Sequence, residues 1–295
     1  MSLHKPTVFM GAATALITPF RGGKIDREAL AGLIEYQISG GIAAILVAGT
    51  TGESATLDFD EHRELAGAAA ACIAGRVPLL VGVGSNCTER AVRLAEIACD
   101  AGADALLAVT PYYNKASAQG ILAHYRAIAE ASTRPVIVYN VPARTGMTLT
   151  MQHYRELAKC ERICAVKEAS GDLELLGQLV SECGDDLDVY TGNDSQTVPA
   201  MRLGAGGVIS VASNLIPGRM CEICRLCEEG NYRRAALRFR ELRPLLRALS
   251  AEVNPIPVKY AAALRGLCLP EYRLPLTPPA PETCRLLEAL PHFPG

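Results

Sequence analysis

No stretch of the 295-residue sequence approaches the roughly 18 consecutive apolar residues that a membrane-spanning helix requires. Charge of one sign is also missing. The 29 lysines and arginines nearly balance 31 aspartates and glutamates, so no global field points to nucleic acid or a lipid surface. The five histidines (His4, His62, His124, His153 and His292) show no ligand spacing, and no metal site is predicted. Cys221, Cys224 and Cys227 form a C-x2-C-x2-C pattern, but residue 231 is Asn231 where a ferredoxin spacing needs a fourth cysteine. Residues 220–229 read as a helix, which would put the first and third sulfurs about two turns apart. The third glycine of a dinucleotide-binding turn is absent after Gly82-x-Gly84. Gly204-Ala205-Gly206-Gly207 precedes an apolar run and reads as a helix-to-strand turn. No internal repeat interrupts the pattern.

What is present is a globular composition, 49% hydrophobic and 20% charged, with core enough for one large or two small domains. The 11 cysteines are odd in number and sit mostly inside apolar patterns. Reduced thiols in a cytoplasm suit that distribution better than a disulfide framework. Lys5 with residues 7–18 has the outline of a short signal peptide, but residues 12–18 are needed as a first strand. From there to about residue 230, short apolar runs alternate with longer amphipathic segments. Strands are expected at 13–18, 43–48, 79–84, 105–110, 136–140, 164–169, 189–192 and 207–212. Helices are expected to begin near Asp26, Asp60, Thr88, Ser117, Thr150, Asp172, Ser195 and Pro217, several on capping side chains, Asp60 and Thr88 among them. Gly75 and Gly102 stand where helices end. Eight such units predict an α/β fold, a (β/α)8 TIM barrel over residues 1–230. Residues 231–295, punctuated by prolines, are expected to form a C-terminal helical subdomain of two or three helices. The arginines between Arg233 and Arg247 read as a solvated helix face.

Barrel enzymes carry their chemistry at the C-terminal ends of strands. Lys167 is the one basic residue within the eight expected strands. Burial there costs an ammonium its hydration and favours the neutral, nucleophilic amine, the state a Schiff-base lysine needs. The competing account is a lysine that snorkels to solvent. Other strand ends offer Gly49-Thr50-Thr51-Gly52-Glu53-Ser54, Thr110-Pro111-Tyr112-Tyr113-Asn114, Tyr139-Asn140-Val141-Pro142-Ala143-Arg144, and Thr191-Gly192-Asn193-Asp194. The glycine-flanked threonines make either a carboxylate nest or a capped turn. Tyr139 and Thr50 form either a proton relay or ordinary satisfied hydroxyls. Arg144 is either a bidentate carboxylate contact or a surface residue. All of these converge on one rim.

The motifs Gly49-Thr50-Thr51-Gly52-Glu53, Tyr139-Asn140-Val141-Pro142 with Arg144-Thr145-Gly146, and Val166-Lys167-Glu168-Ala169-Ser170-Gly171 resemble those of the 4-hydroxy-tetrahydrodipicolinate (dihydrodipicolinate) synthases. These belong to the pyruvate-dependent class I aldolases. The resemblance runs over nearly the whole chain, including residues 254–259. It implies an enzyme that condenses pyruvate with L-aspartate 4-semialdehyde through an imine on Lys167, without a cofactor. It implies a relay of Tyr139, Thr50 and Tyr113, the last from a neighbouring subunit of a homotetramer. It further implies that Thr51 holds the pyruvate carboxylate, that Gly192 and the Ile209 backbone line the pocket, and that Arg144 binds the semialdehyde carboxylate.

The resemblance also implies an L-lysine feedback site at Ser54, Ala55, His62, Asn86 and Tyr112. Sensitive members carry a histidine where Phe59 stands and a glutamate where Arg90 stands. Arg90 would repel the effector's ammonium, so weak or absent inhibition is expected. The alternatives are a sister aldolase of the N-acetylneuraminate lyase type and a non-catalytic pyruvate-binding barrel.

Overall fold

The computed structural model describes residues 5–290, so His4 and His292 lie outside the described residues. Eight parallel strands close into a barrel: β1 (Gly11–Ala15), β2 (Ala44–Val47), β3 (Leu79–Gly82), β4 (Ala105–Val109), β5 (Val136–Asn140), β6 (Ile163–Glu168), β7 (Asp188–Thr191) and β8 (Gly207–Ser210). β1 closes the ring by pairing with both β8 and β2. Both faces of the sheet are buried, which is why its strands are apolar almost throughout. Ala13, Leu46, Leu80, Leu107, Ile137, Tyr190 and others fill the interior, while Ile45, Val81, Val138, Val166 and Val208 pack outward under helices. Phe9 stacks on Tyr190 with ring centres 4.1 Å apart and stoppers the N-terminal end of the barrel.

The surrounding helices are α1 (Arg27–Ser39), α2 (Phe59–Ile73), α3 (Thr88–Asp100), α4 (Ala118–Ala131), α5 (Met151–Ala158), α6 (Leu173–Cys183), α7 (Thr197–Arg202) and α8 (Pro217–Glu228). Asp26, Ser117 and Asp172 cap α1, α4 and α6 as their side chains suggested. Two expected caps are different. Asp58, not Asp60, caps α2, in a reciprocal box with Glu61. Thr88 is the first residue inside α3, and its hydroxyl is spent on His124 Nδ1 at 2.9 Å. α7 begins after a single 3-10 turn at Asp194–Gln196 and not at Ser195. β1 ends at Ala15, three residues before the expected end. Gly75 and Gly102 do follow helix ends, with φ of +72° and +95°.

Beyond α8, the described residues hold four helices where two or three were expected: α9 (Tyr232–Glu241), α10 (Arg243–Leu249), α11 (Ile256–Leu264) and α12 (Pro281–Glu288). They do more than append to the barrel. Residues from 246 to 254 come over its C-terminal mouth, where they face the strand ends.

Candidate active site

A cavity of about 300 Å³ occupies the C-terminal mouth of the barrel. Lys167, Tyr139, Thr50, Thr51, Arg144 and Gly192 all line it, contributed by β2, β5, β6, β7 and the turns after them. Strand parity explains the delivery. Ala165, Lys167 and Ala169 point inward, while Val166 and Glu168 point outward. Register then sets Lys167 beside Tyr139 on one side and Tyr190 on the other. Glu168 pins the strand from outside. Its carboxylate accepts from Asn140 Nδ2 at 2.9 and 3.1 Å, from Ser170 N at 2.7 Å, and from the Tyr154 hydroxyl.

Lys167 is only 5% exposed, and its Nζ lies 4.3 Å from the centre of the Tyr139 ring. Burial lowers its pKa to about 8; the Asp194 carboxylate partly opposes this, and the Arg144 charge adds to it. The amine is therefore available as a nucleophile near neutral pH and does not snorkel. Burial pushes the Tyr139 phenol above its usual range, and a hydrogen bond with Thr50 and the Arg144 charge work against that push. Thr50 and Tyr139 thus bring two hydroxyls to the cavity that Lys167 also lines. Thr51 is buried next to them, and Arg144 projects from the single helical turn Pro142–Thr145.

Two expected site residues do not line this cavity, and one of them, Tyr113, was expected to serve a neighbouring subunit. Tyr113 is 89% exposed, with φ of +72°, and does not line the cavity. Ile209 is fully buried in the interior stack, and Val211, two residues on, is the residue of that strand end at the cavity wall.

A second cavity of about 510 Å³ adjoins the first and shares Thr50, Arg144 and Asn254 with it. Ser54, Ala55, His62, Asn86, Arg90 and Tyr112 come together there. Phe59 does not line it but carries the Arg90 guanidinium 4.9 Å above its ring. Arg90 also donates to the Leu57 carbonyl at 3.3 Å. Burial lowers the His62 pKa, and the hydrogen bond between its Nε2 and the Gly82 carbonyl at 2.7 Å works against that shift.

Two residues of the first cavity carried no role in the sequence reading. Asp194 sits at the end of β7, where its Oδ2 accepts from Val211 N at 3.0 Å and Ala212 N at 2.9 Å. Its place at a strand end was the available signal. Asn254 reaches Thr51 from 203 positions away, and no local pattern marks such a contact.

The sequence model of the Dihydrodipicolinate synthetase family matches residues 8–290. The chain is 43% identical over 283 residues to the 4-hydroxy-tetrahydrodipicolinate synthase of Oleidesulfovibrio alaskensis, covering 96% of this chain and 97% of that one. It resembles the crystal structure of dihydrodipicolinate synthase from Aquifex aeolicus with a TM-score of 0.93 at 42% identity, over 95% of this chain and 96% of the other. A TM-score of 0.93 also relates it, at 38% identity and over 96% and 97% of the two chains, to a chloride-inhibited dihydrodipicolinate synthase from Acinetobacter baumannii solved as a complex with pyruvate. A fold shared over nearly its whole length, with the lysine and hydroxyl motifs at the strand ends, shows that this chain belongs to the dihydrodipicolinate synthetase family.

Proposed function

We propose that the chain condenses pyruvate with L-aspartate 4-semialdehyde to give 4-hydroxy-tetrahydrodipicolinate, through a covalent imine on Lys167 and without a cofactor. The observation that carries this reading is the buried Lys167 amine, with its pKa lowered to about 8, in one cavity with Tyr139, Thr50, Thr51 and Arg144. Neutral Nζ bonds to the ketone carbon of pyruvate, and the Tyr139–Thr50 pair carries the proton from nitrogen to oxygen so that water can leave. The imine then accepts the electron pair released when a methyl proton departs. The resulting enamine carbon bonds to the aldehyde carbon, whose oxygen takes up a proton. Finally the substrate's own amine bonds to the imine carbon, the bond to Lys167 breaks, and the free lysine returns.

Thr51 and the backbone at Gly192 hold the pyruvate carboxylate, with Ile209 supporting that wall from the core. Arg144 holds the semialdehyde carboxylate. Tyr113 is an exposed aromatic at a positive φ, which suits a residue that completes the relay in a neighbouring subunit of a homotetramer. The second cavity is a degenerate L-lysine site. Residues 1–230 act as the catalytic barrel, and residues 231–295 as a subdomain that roofs it. The setting is cytoplasmic, in lysine and diaminopimelate biosynthesis.

Borohydride trapping with pyruvate, followed by a coupled assay with the semialdehyde, tests the reading. A mass increase localised to Lys167 together with turnover of the semialdehyde is expected. Turnover of N-acetylneuraminate in its place would make the chain a sister aldolase, and an unmodified chain would make it a binding protein.

A further inference from the structure

One residue of the C-terminal segment touches both side chains that the proposed function assigns to substrate carboxylates. Asn254 Nδ2 donates to Thr51 Oγ1 at 2.9 Å, and the Asn254 backbone carbonyl accepts from Arg144 Nη2 at 3.1 Å. A hydroxyl has one hydrogen. With a lone pair of Thr51 occupied by the amide, that hydrogen is left to donate into the cavity, where an anion would receive it. Arg144 is otherwise an exposed side chain on a short turn, and one anchored N–H limits where its remaining donors can point.

The seat of Asn254 is itself fixed from the barrel. Lys259, fully buried, pairs with Glu53, two residues beyond Thr51, and donates to the Glu271 carbonyl at 2.8 Å. The other Glu53 oxygen accepts from Arg273 N at 3.1 Å. The loop bearing Thr50 and Thr51 is thus clamped to the segment that bears Asn254.

We propose that Asn254 is a positioning residue, its side-chain amide orienting the Thr51 hydroxyl as a donor to the keto-acid carboxylate and its backbone carbonyl aiming Arg144 at the semialdehyde. This rests on the proposed function. It carries a consequence that a merely structural role does not: side-chain substitutions should disturb pyruvate and spare the semialdehyde, because Arg144 is held by backbone.

The test compares Asn254→Ala and Asn254→Asp, each alone and in a Thr51→Val background, by steady-state kinetics with both substrates. Alanine removes the donor. Aspartate keeps the shape but, when ionised, accepts, so it turns the Thr51 hydrogen away from the substrate. The pyruvate KM is expected to rise about tenfold in Asn254→Ala and further in Asn254→Asp. The semialdehyde KM should stay within about twofold, and adding Asn254→Ala to Thr51→Val should cost less than about twofold more. Wild-type behaviour in Asn254→Asp, parallel rises in both KM values, or an undiminished penalty in the Thr51→Val background would each overturn the proposal. Borohydride trapping of the wild type separates the two levels. Failure to label Lys167 removes the proposed function itself, whereas normal labelling with any of those kinetic results removes only the role of Asn254.

Discussion

Gly192 lies flat against the Lys167 side chain: a Cβ at position 192 would fall 2.8 Å from Lys167 Cε and 2.7 Å from Ala169 Cβ. The lysine can extend into the cavity because the residue that follows β7 has no side chain. Gly192→Ala should therefore push the amine off its course and press on Ala169 as well. A displacement on the order of 1 Å costs about 100-fold in rate in such sites. Slow borohydride trapping with a somewhat lowered melting temperature is the expected result; trapping at the wild-type rate would show that the contact with Lys167 relaxes freely.

The Lys167 pKa of about 8 sets a pH dependence. The reactive form is the neutral amine, so imine formation should fall about tenfold per pH unit below 8 and level off above it. A lysine at its ordinary value near 10.5 would keep gaining rate past pH 10. Single-turnover trapping with pyruvate across pH 6 to 10 distinguishes the two curves.

Asp194 and Arg144 act on that amine with opposite signs. Asp194 favours the ammonium, so Asp194→Asn should move the acidic limb of the trapping profile to lower pH. Arg144 disfavours it, so Arg144→Ala should move the limb upward. Arg144→Ala should also raise the KM for the semialdehyde while pyruvate still labels Lys167. Shifts in the same direction for both variants would contradict this electrostatic account.

Glu53 and Lys259 are both fully buried, with Lys259 Nζ 4.3 Å from the Phe20 ring centre and 5.4 Å from that of Tyr272. Removing one partner strands a charge in that setting, so Glu53→Ala should lose about 3–5 kcal/mol of stability in urea unfolding. The Glu53→Gln, Lys259→Met double variant should recover much of that loss, because no unpaired charge remains. Equal destabilisation of the two variants would mean that packing, not charge, dominates the site.

The second cavity has Arg90 beside it and no counterpart acid besides the paired Glu53 among its lining residues. An added L-lysine would meet a like charge. We expect little inhibition at millimolar L-lysine in the coupled assay, and half-maximal inhibition below 1 mM would refute this. Arg90→Glu should increase sensitivity.

Much of the site was legible because barrel topology converts linear order into spatial convergence. Once the alternation of apolar runs marked eight strands, the polar groups at the strand ends became candidates for one mouth, although Tyr113 does not face it. That logic gathered Lys167, Thr50, Thr51, Tyr139, Arg144 and Gly192 at one rim, the family resemblance supplied their expected roles, and these six share the cavity. The same logic could not reach Asn254, since the Asn254–Thr51 contact joins a strand-end loop to a segment outside the repeating units. It also misplaced helix starts by one or two residues. Asp58 and Asp60 are equally good caps on composition, and only the reciprocal bond with Glu61 selects Asp58.

The amino-acid order alone determined the architecture and marked out Lys167 as the proposed nucleophile, because hydrophobic periodicity and strand parity are local properties that need no partner to be read. Only the tertiary structure decided the state of that nucleophile. The lowered pKa of Lys167 comes from the depth of its burial and from the Arg144 charge on the turn after β5, against the opposing Asp194 carboxylate beyond β7, and the orientation of Thr51 comes from an amide 203 residues away. Desolvation and hydrogen-bond direction are set by what surrounds a group in space, and that is fixed only when the chain has closed on itself.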